Sequence, residues 1–328
     1  MRIAVTGSIA TDHLMTFKGR FTDSFIAGHL ERVSLSFLAD GLTVHRGGVG
    51  ANIALGLARV GLSPVLVGAA GFDFAEYRSE LERAGVDCSG VHVSATQYTA
   101  RFVCTTDTEQ NQIATFYPGA MSEARGISLT SLGRFDFTLI GADDPEAMLR
   151  HTDACRDSGF PFAADPSQQL ARLEGTTIRE LVDGAAYLFT NAYERVLLCE
   201  KTGWSERDVL DHVGHWITTF GRDGAQIERL GDPTVRIPVV PAVQEVDPTG
   251  VGDGFRVGVL AGLAWNLPLE RAAQVGCAVA TRVLGVSGPQ DYSLDRGGLL
   301  EDLGRVYGVA AATDVEPHLL RVAQEVTS

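Results

Sequence analysis

The sequence predicts an α/β domain: a doubly wound, mostly parallel sheet with helices on both faces, carrying a small β-sheet lid. Two patterns predict it. Short apolar, β-rich runs alternate with longer helical patterns over most of the chain, the order that parallel strands and crossover helices produce. Two polar, β-prone, helix-poor stretches, residues 12–46 and 99–119, interrupt that order. A chain of 328 residues that is 45% hydrophobic can bury one large core, so one globular unit with an elaboration is expected rather than a string of modules.

Strands are read at residues 2–7, 64–68, 135–141, 161–165, 187–190 and 216–220, with helices between them. Asp144 followed by Pro145 offers an N-cap and a proline at the first helical position, and Gly159 supplies the stop. Residues 99–104 and 112–117 flank the turn-like segment 107–111 and read as a hairpin. Paired with residues 12–46, that hairpin would form a lid over the C-terminal ends of the main strands, where ligands sit in open α/β sheets. The large domain then comprises residues 1–11, 47–98 and 120–328, and the lid 12–46 and 99–119. Two surface excursions without a role are the alternative.

The formal net charge of −14 leaves no basic face to track a phosphate backbone, which counts against nucleic acid and anionic membrane as partners. A small anion remains compatible, since backbone amides and a metal bind phosphate in an acidic protein. Five scattered cysteines, with no CxxC pair, read as buried thiols of a reducing compartment. The first residues begin at once as a strand, without a signal-peptide apolar region, and no apolar run reaches membrane-spanning length; a cytoplasmic location is expected.

The most informative segment is Asp247-Pro248-Thr249-Gly250-Val251-Gly252-Asp253-Gly254-Phe255, a glycine-rich turn feeding a helical run through Trp265. Such a junction points free N–H groups and the positive end of the helix dipole at one spot, where an anion binds well. The amides of Gly250, Val251, Gly252 and Asp253 would hold a transferring phosphoryl group, while the Asp253 carboxylate takes the proton from an attacking hydroxyl. The bland alternative is a tight turn with Asp253 as an ordinary N-cap. Gly254, Gly258 and Gly262, four apart, mark a face packed closely on a neighbour.

This nine-residue run resembles the D-T-x-G-A-G-D-x-F signature of the ribokinase-like (PfkB) family, departing at Pro248 and Val251. A second segment, Gly47-Gly48-Val49-Gly50-Ala51-Asn52, is by itself a capped helix start as readily as a ligand site, but it is similar to the family's N-terminal motif. That resemblance implies Gly48 and Asn52 as substrate contacts, and Asp12, with Ser8 nearby, as the acceptor of two sugar hydroxyls. It further implies Asn191 and Glu194 of Asn191-Ala192-Tyr193-Glu194 on the nucleotide side. Glu194 would act through water on the Mg²⁺ that accompanies ATP, because Mg²⁺ keeps several waters; as a bare pattern NxxE is mostly a helix start. Thr219, Gly221 and Gly224 match the family's T-x-G-x-x-G nucleotide loop, and the resemblance implies Gly250 and Gly252 as further contacts on the nucleotide side. Asp223 stands where many relatives have lysine, which leaves Arg222 as the only cation there.

Within the family, Ser36, Phe102, Phe116, Met121, Gln168, Gln169 and Arg172 resemble the nucleoside pocket of actinobacterial, mycobacterial-type adenosine kinases. Aromatic rings sandwich a purine, and glutamine or arginine bonds its edge; from spacing alone, Phe102 and Phe116 read as core of the lid. The likeness implies an ATP-dependent adenosine kinase forming AMP in purine salvage, a homodimer through the lid sheets, and a response to potassium. The rivals are a family member acting on ribose, another sugar, inosine or guanosine, and a non-catalytic nucleoside sensor, which would need neither Asp253 nor Glu194.

Overall fold

Residues 1–24 and 36–319 are described by a computed structural model. The chain opens with β1 (Ile3–Thr6), β2 (Ala10–Thr16), β3 (Gly41–Gly47), α1 (Val49–Arg59), β4 (Val65–Ala70), α2 (Ala75–Ala84) and β5 (Asp87–Val93). The hairpin β6 (Ala100–Thr106) and β7 (Gln112–Tyr117) follows, then β8 (Phe137–Ile140), α3 (Pro145–Ser158), β9 (Phe162–Ala164) and α4 (Gly175–Val182). Next come β10 (Tyr187–Asn191), α5 (Ala192–Thr202), α6 (Glu206–His212), β11 (His215–Thr219), β12 (Ala225–Glu228) and β13 (Val235–Ile237). Four helices close the described chain: α7 (Val251–Ala264), α8 (Leu269–Leu284), α9 (Arg296–Tyr307) and α10 (Val309–Val315).

Nine strands form the large sheet in the order β13-β12-β11-β10-β9-β8-β1-β4-β5. It is parallel from β11 to β5, with β12 and β13 added antiparallel at one edge. Central strands buried on both faces read as continuous apolar runs, as in Ile3-Ala4-Val5-Thr6 and Phe137-Thr138-Leu139-Ile140, where every residue is buried. Side chains of a strand alternate between faces, and the core divides accordingly. Ile3 and Val5 pack with α1, α7 and α8, whereas Ala4 joins Cys155 of α3, Ile178 of α4 and Leu198 of α5 on the other side. Each fully buried Leu or Ile contributes roughly 1.5–3 kcal/mol against its exposed state.

All the expected strands are present, and α3 has the expected ends: the Asp144 side chain accepts from the Glu146 and Ala147 amides, and Gly159 closes the helix in the left-handed conformation. Gly258 and Gly262 face α8, where an added Cβ would fall 2.4 Å from the Gly276 amide and 2.5 Å from Ala272. The edge strands β5 and β13, and β12 next to the latter, were not anticipated. β5, Asp-Cys-Ser-Gly-Val-His-Val, carries a register irregularity and too little apolar alternation to declare itself.

A separate four-stranded sheet has the order β3-β2-β6-β7. Both interrupting stretches contribute to it, beginning at Ala10 and ending at Gly47 for the first; residues 25–35 of that stretch lie outside the described residues. β2 pairs with β6 in parallel, and two antiparallel partners flank them. Among the described residues no helix is long and apolar enough to cross a membrane. Four of the five cysteines are buried, Cys199 is partly so, and all are free.

Candidate active site

The small sheet meets the large one above the C-terminal ends of the strands. His45, Asp12, Phe102 and Phe116 are directly opposite one another on β3, β2, β6 and β7, and cross-strand partners project to one face. One row of the sheet therefore delivers a carboxylate and two aromatic rings. Asp12, Phe102 and Phe116 enter a cavity of about 390 Å³ together with Met121, and Ser8, Gly48 and Asn52 line it from the start of α1. Gln168, Gln169 and Arg172 reach it from the loop after β9, and Gly250 and Asp253 from the start of α7.

A second cavity, of about 440 Å³, is lined by Thr219, Gly221, Arg222 and Gly224 after β11, by Val239 to Ala242, and by Cys277, Ala280, Thr281 and Leu284 of α8. Its remaining wall includes Pro248, Val251 and Gly252. The first turn of α7 thus divides the two cavities, with Thr249, Gly250 and Asp253 on one side and Val251 and Gly252 on the other.

Gly250 caps α7 at φ 78°, and an added Cβ would lie 2.5 Å from that of Pro289. Only glycine sits there without strain. The Val251 amide meets the Pro248 carbonyl at 3.3 Å. Among the described residues, the amides of Gly250, Gly252 and Asp253 have no protein acceptor, so they remain available to an anion. At α1 the arrangement is the reverse: Val49 N donates to Ser8 Oγ at 3.1 Å, and Gly50 and Ala51 donate to the Ser8 carbonyl.

Asp253 is not the N-cap of its helix; it lies in the first turn of α7 and makes no capping bond. Its Oδ2 accepts from Asn52 Nδ2 at 2.7 Å. Burial raises its pKa to about 7, with Asp165 and Asp12 adding to the shift and the Asn52 hydrogen bond and Arg256 opposing it. That value suits a general base, available near neutrality yet basic enough to accept a proton. Burial also raises Asp12, where His45 opposes and Asp247 reinforces the effect.

Beneath Asp253 lies a buried ion pair absent from the sequence reading. Arg256 Nε and Nη2 donate to Asp165 Oδ2 and Oδ1 at 3.0 and 2.8 Å, both side chains being at most 6% exposed. Arg256 Nη1 also donates to the Gly252 carbonyl at 3.2 Å, tying the pair to the first turn of α7. Removing one partner of such a pair costs about 3–5 kcal/mol. An arginine in the apolar run that follows Asp253 in α7 was the signal that sequence reading passed over.

Three expected residues do not line either cavity. Ser36 is exposed on the coil leading to β3. Asn191 and Glu194 form a reciprocal capping box: Glu194 N donates to Asn191 Oδ1, and Asn191 N donates to Glu194 Oε2, both at 2.8 Å. Here the helix-start alternative is what the structure displays. Glu194 is buried, its pKa raised by desolvation and lowered by the nearby Arg256. Among the described residues no group of three His, Cys, Asp or Glu side chains is arranged to hold a metal.

The model of the pfkB family carbohydrate kinases matches residues 6–296. The chain belongs to that family. A nucleoside kinase of Methanothermobacter thermautotrophicus is 29% identical over 259 residues, covering 76% of this chain and 82% of its own. The solved nucleoside kinase of Burkholderia thailandensis in complex with inosine is similar at 33% identity and a TM-score of 0.83, over 93% of this chain and 98% of that one. The nucleoside kinase structure of Methanocaldococcus jannaschii has the same TM-score of 0.83 at 25% identity. This PfkB chain is a phosphotransferase acting on a hydroxyl of a nucleoside or sugar, with the ribokinase-like fold. These relatives are described as nucleoside kinases, which widens the expectation of a specifically actinobacterial adenosine kinase.

Proposed function

We propose that the protein is an ATP-dependent purine nucleoside kinase that phosphorylates the 5′-hydroxyl of inosine as well as adenosine. The observation that carries this reading is the first turn of α7, whose Gly250, Gly252 and Asp253 amides meet no acceptor among the described residues, standing between a cavity walled by Asp12, Phe102 and Phe116 and a second cavity walled by the Thr219–Gly224 loop. The acceptor nucleoside would take the first and ATP the second. Asp12 accepts from the ribose diol, as an ionised carboxylate is suited to do, and Phe102 and Phe116 stack on the base. Arg172, exposed and donor-only, matches the oxygen at position 6 of a 6-oxopurine; the amide of Gln168 serves either a 6-oxo or a 6-amino ring.

In the reaction, the 5′-oxygen attacks the γ-phosphorus as its proton passes to Asp253 Oδ, the bond from phosphorus to the β–γ bridging oxygen breaks, and the nucleoside monophosphate and ADP result. The Gly250, Gly252 and Asp253 amides stabilise charge on the equatorial oxygens. Glu194 keeps Oε1 outside its capping box, a hard oxygen suited to a water-mediated contact with Mg²⁺. Bound Mg²⁺ would neutralise phosphate charge. A second copy of the chain is proposed to cover the outer face of the small sheet, where Leu42, Val44, Ile113 and Tyr117 are 40–61% exposed on the side opposite the Asp12 row. The likeness to adenosine kinases implies the same mode.

Phosphate transfer from ATP across adenosine, inosine, guanosine, cytidine and ribose, in potassium and sodium buffers, tests the reading. Preference for purine nucleosides over ribose is expected. Transfer to ribose alone would displace the nucleoside assignment, and binding without transfer would favour the sensor.

A further inference from the structure

Behind Asn52 runs a chain of buried hydrogen bonds whose donor and acceptor roles are set at both ends. Tyr77 Oη donates to the Gly47 carbonyl at 3.0 Å. A backbone carbonyl only accepts, so the single hydroxyl proton is committed and Tyr77 Oη must accept its other contact. Gln290 Nε2 makes that contact at 2.6 Å and a second one, at 2.7 Å, to Asn52. Because the amide nitrogen only donates, Asn52 must present Oδ1 to Gln290, and therefore Nδ2 to Asp253.

We propose that Gln290 is a positioning residue for catalysis: anchored through Tyr77 to the Gly47 carbonyl, it fixes the Asn52 amide so that Nδ2 always faces the Asp253 carboxylate. Tyr77, Gln290 and Asn52 are all at most 8% exposed, so water does not substitute for a missing link. A flipped Asn52 would turn a carbonyl oxygen towards Asp253, which repels the ionised base and favours its protonated form. Burial holds the Tyr77 hydroxyl well above its ordinary pKa, so it remains a donor throughout the pH range in which the enzyme would work. Gly47 is the last residue of β3 and Gln290 follows the turn that packs on Gly250. The chain thus links the edge of the small sheet, the α7 turn and the base.

This inference rests on Asp253 acting as the base of the kinase reaction. The test uses the isosteric Gln290→Glu substitution, which replaces the fixed donor by acceptors and reverses the polarity. With the wild type transferring phosphate to inosine, kcat of the variant at pH 7 should fall about 10-fold or more, the acidic limb of its kcat/KM profile should move up by about one pH unit, and KM for ATP should hold. Tyr77→Phe, which frees Gln290 to turn, should move the limb in the same direction by less, and it serves should Gln290→Glu fail to fold. A purely structural role would lower the unfolding temperature of Tyr77→Phe, which adds no charge near Asp253, while leaving its limb in place. An unmoved limb in a folded variant overturns the role of Gln290 while the kinase stands; absence of transfer by the wild type overturns the reading beneath it.

Discussion

Two helices begin at the first cavity behind a glycine with positive φ, Gly48 at 96° for α1 and Gly250 at 78° for α7, yet one start is sealed and the other open. At α1, Ser8 takes the Val49, Gly50 and Ala51 amides through its hydroxyl and carbonyl. At α7 the amides of Gly250, Gly252 and Asp253 meet no acceptor among the described residues. The dipole of each helix favours an anion at its start, but only α7 leaves the donors with which to hold one. A glycine-rich turn before a helix is thus ambiguous between structural closure and an anion site, and whether a distant part of the chain supplies acceptors for the first amides decides it. Ser8, two residues beyond β1, reaches α1; among the described residues no acceptor reaches the Gly250, Gly252 or Asp253 amides of α7.

The largest effect should come from removing the base at the open start. Asp253→Asn should lower kcat by about 10²–10⁴-fold with little change in nucleoside affinity, because a base acts in the transition state; steady-state kinetics and calorimetric titration with inosine measure the two. Next, Gly250→Ala forces a Cβ against Pro289 and displaces the anion-binding amides, so kcat should fall about 10²-fold. The matching Gly48→Ala change, whose Cβ would lie 2.5 Å from the Ser8 carbonyl oxygen, should act mainly on the unfolding temperature. Similar kcat losses in both would erase the distinction between the two starts. The smallest effect is expected of Ser8→Ala, which leaves the Val49 amide without its partner at a cost of about 1 kcal/mol. Calorimetry should record a drop of about 2 °C.

Much of this was legible in the sequence. Alternating apolar runs located the central strands because those strands are buried on both faces, and the Asp144-Pro145 start and Gly159 stop fixed α3 because both depend on local chemistry. Residues 99–117 declared themselves as a hairpin for the same reason. The glycine-rich segments were found by motif, but their difference was not, since the Ser8 contact spans 41 residues. Gln290 was invisible: its partners are 213 and 238 residues away, and a glutamine in a Gly-Pro-Gln turn looks like surface. Arg256 and Asp165 were hidden by a separation of 91 residues. For Asn191 and Glu194, the local capping chemistry and a nucleotide-side role share one sequence pattern.

The most direct test of the account is the pH dependence of kcat/KM for the wild type and Asp253→Asn, which reports groups of the free enzyme. A base whose pKa has been raised from 3.8 to about 7 is protonated and idle below that value and ionises as the pH rises through it. The wild type should therefore gain activity up to about pH 7 and then level, while the residual activity of Asp253→Asn shows no such limb. Undiminished turnover in Asp253→Asn, or the same limb persisting in it, would contradict the account.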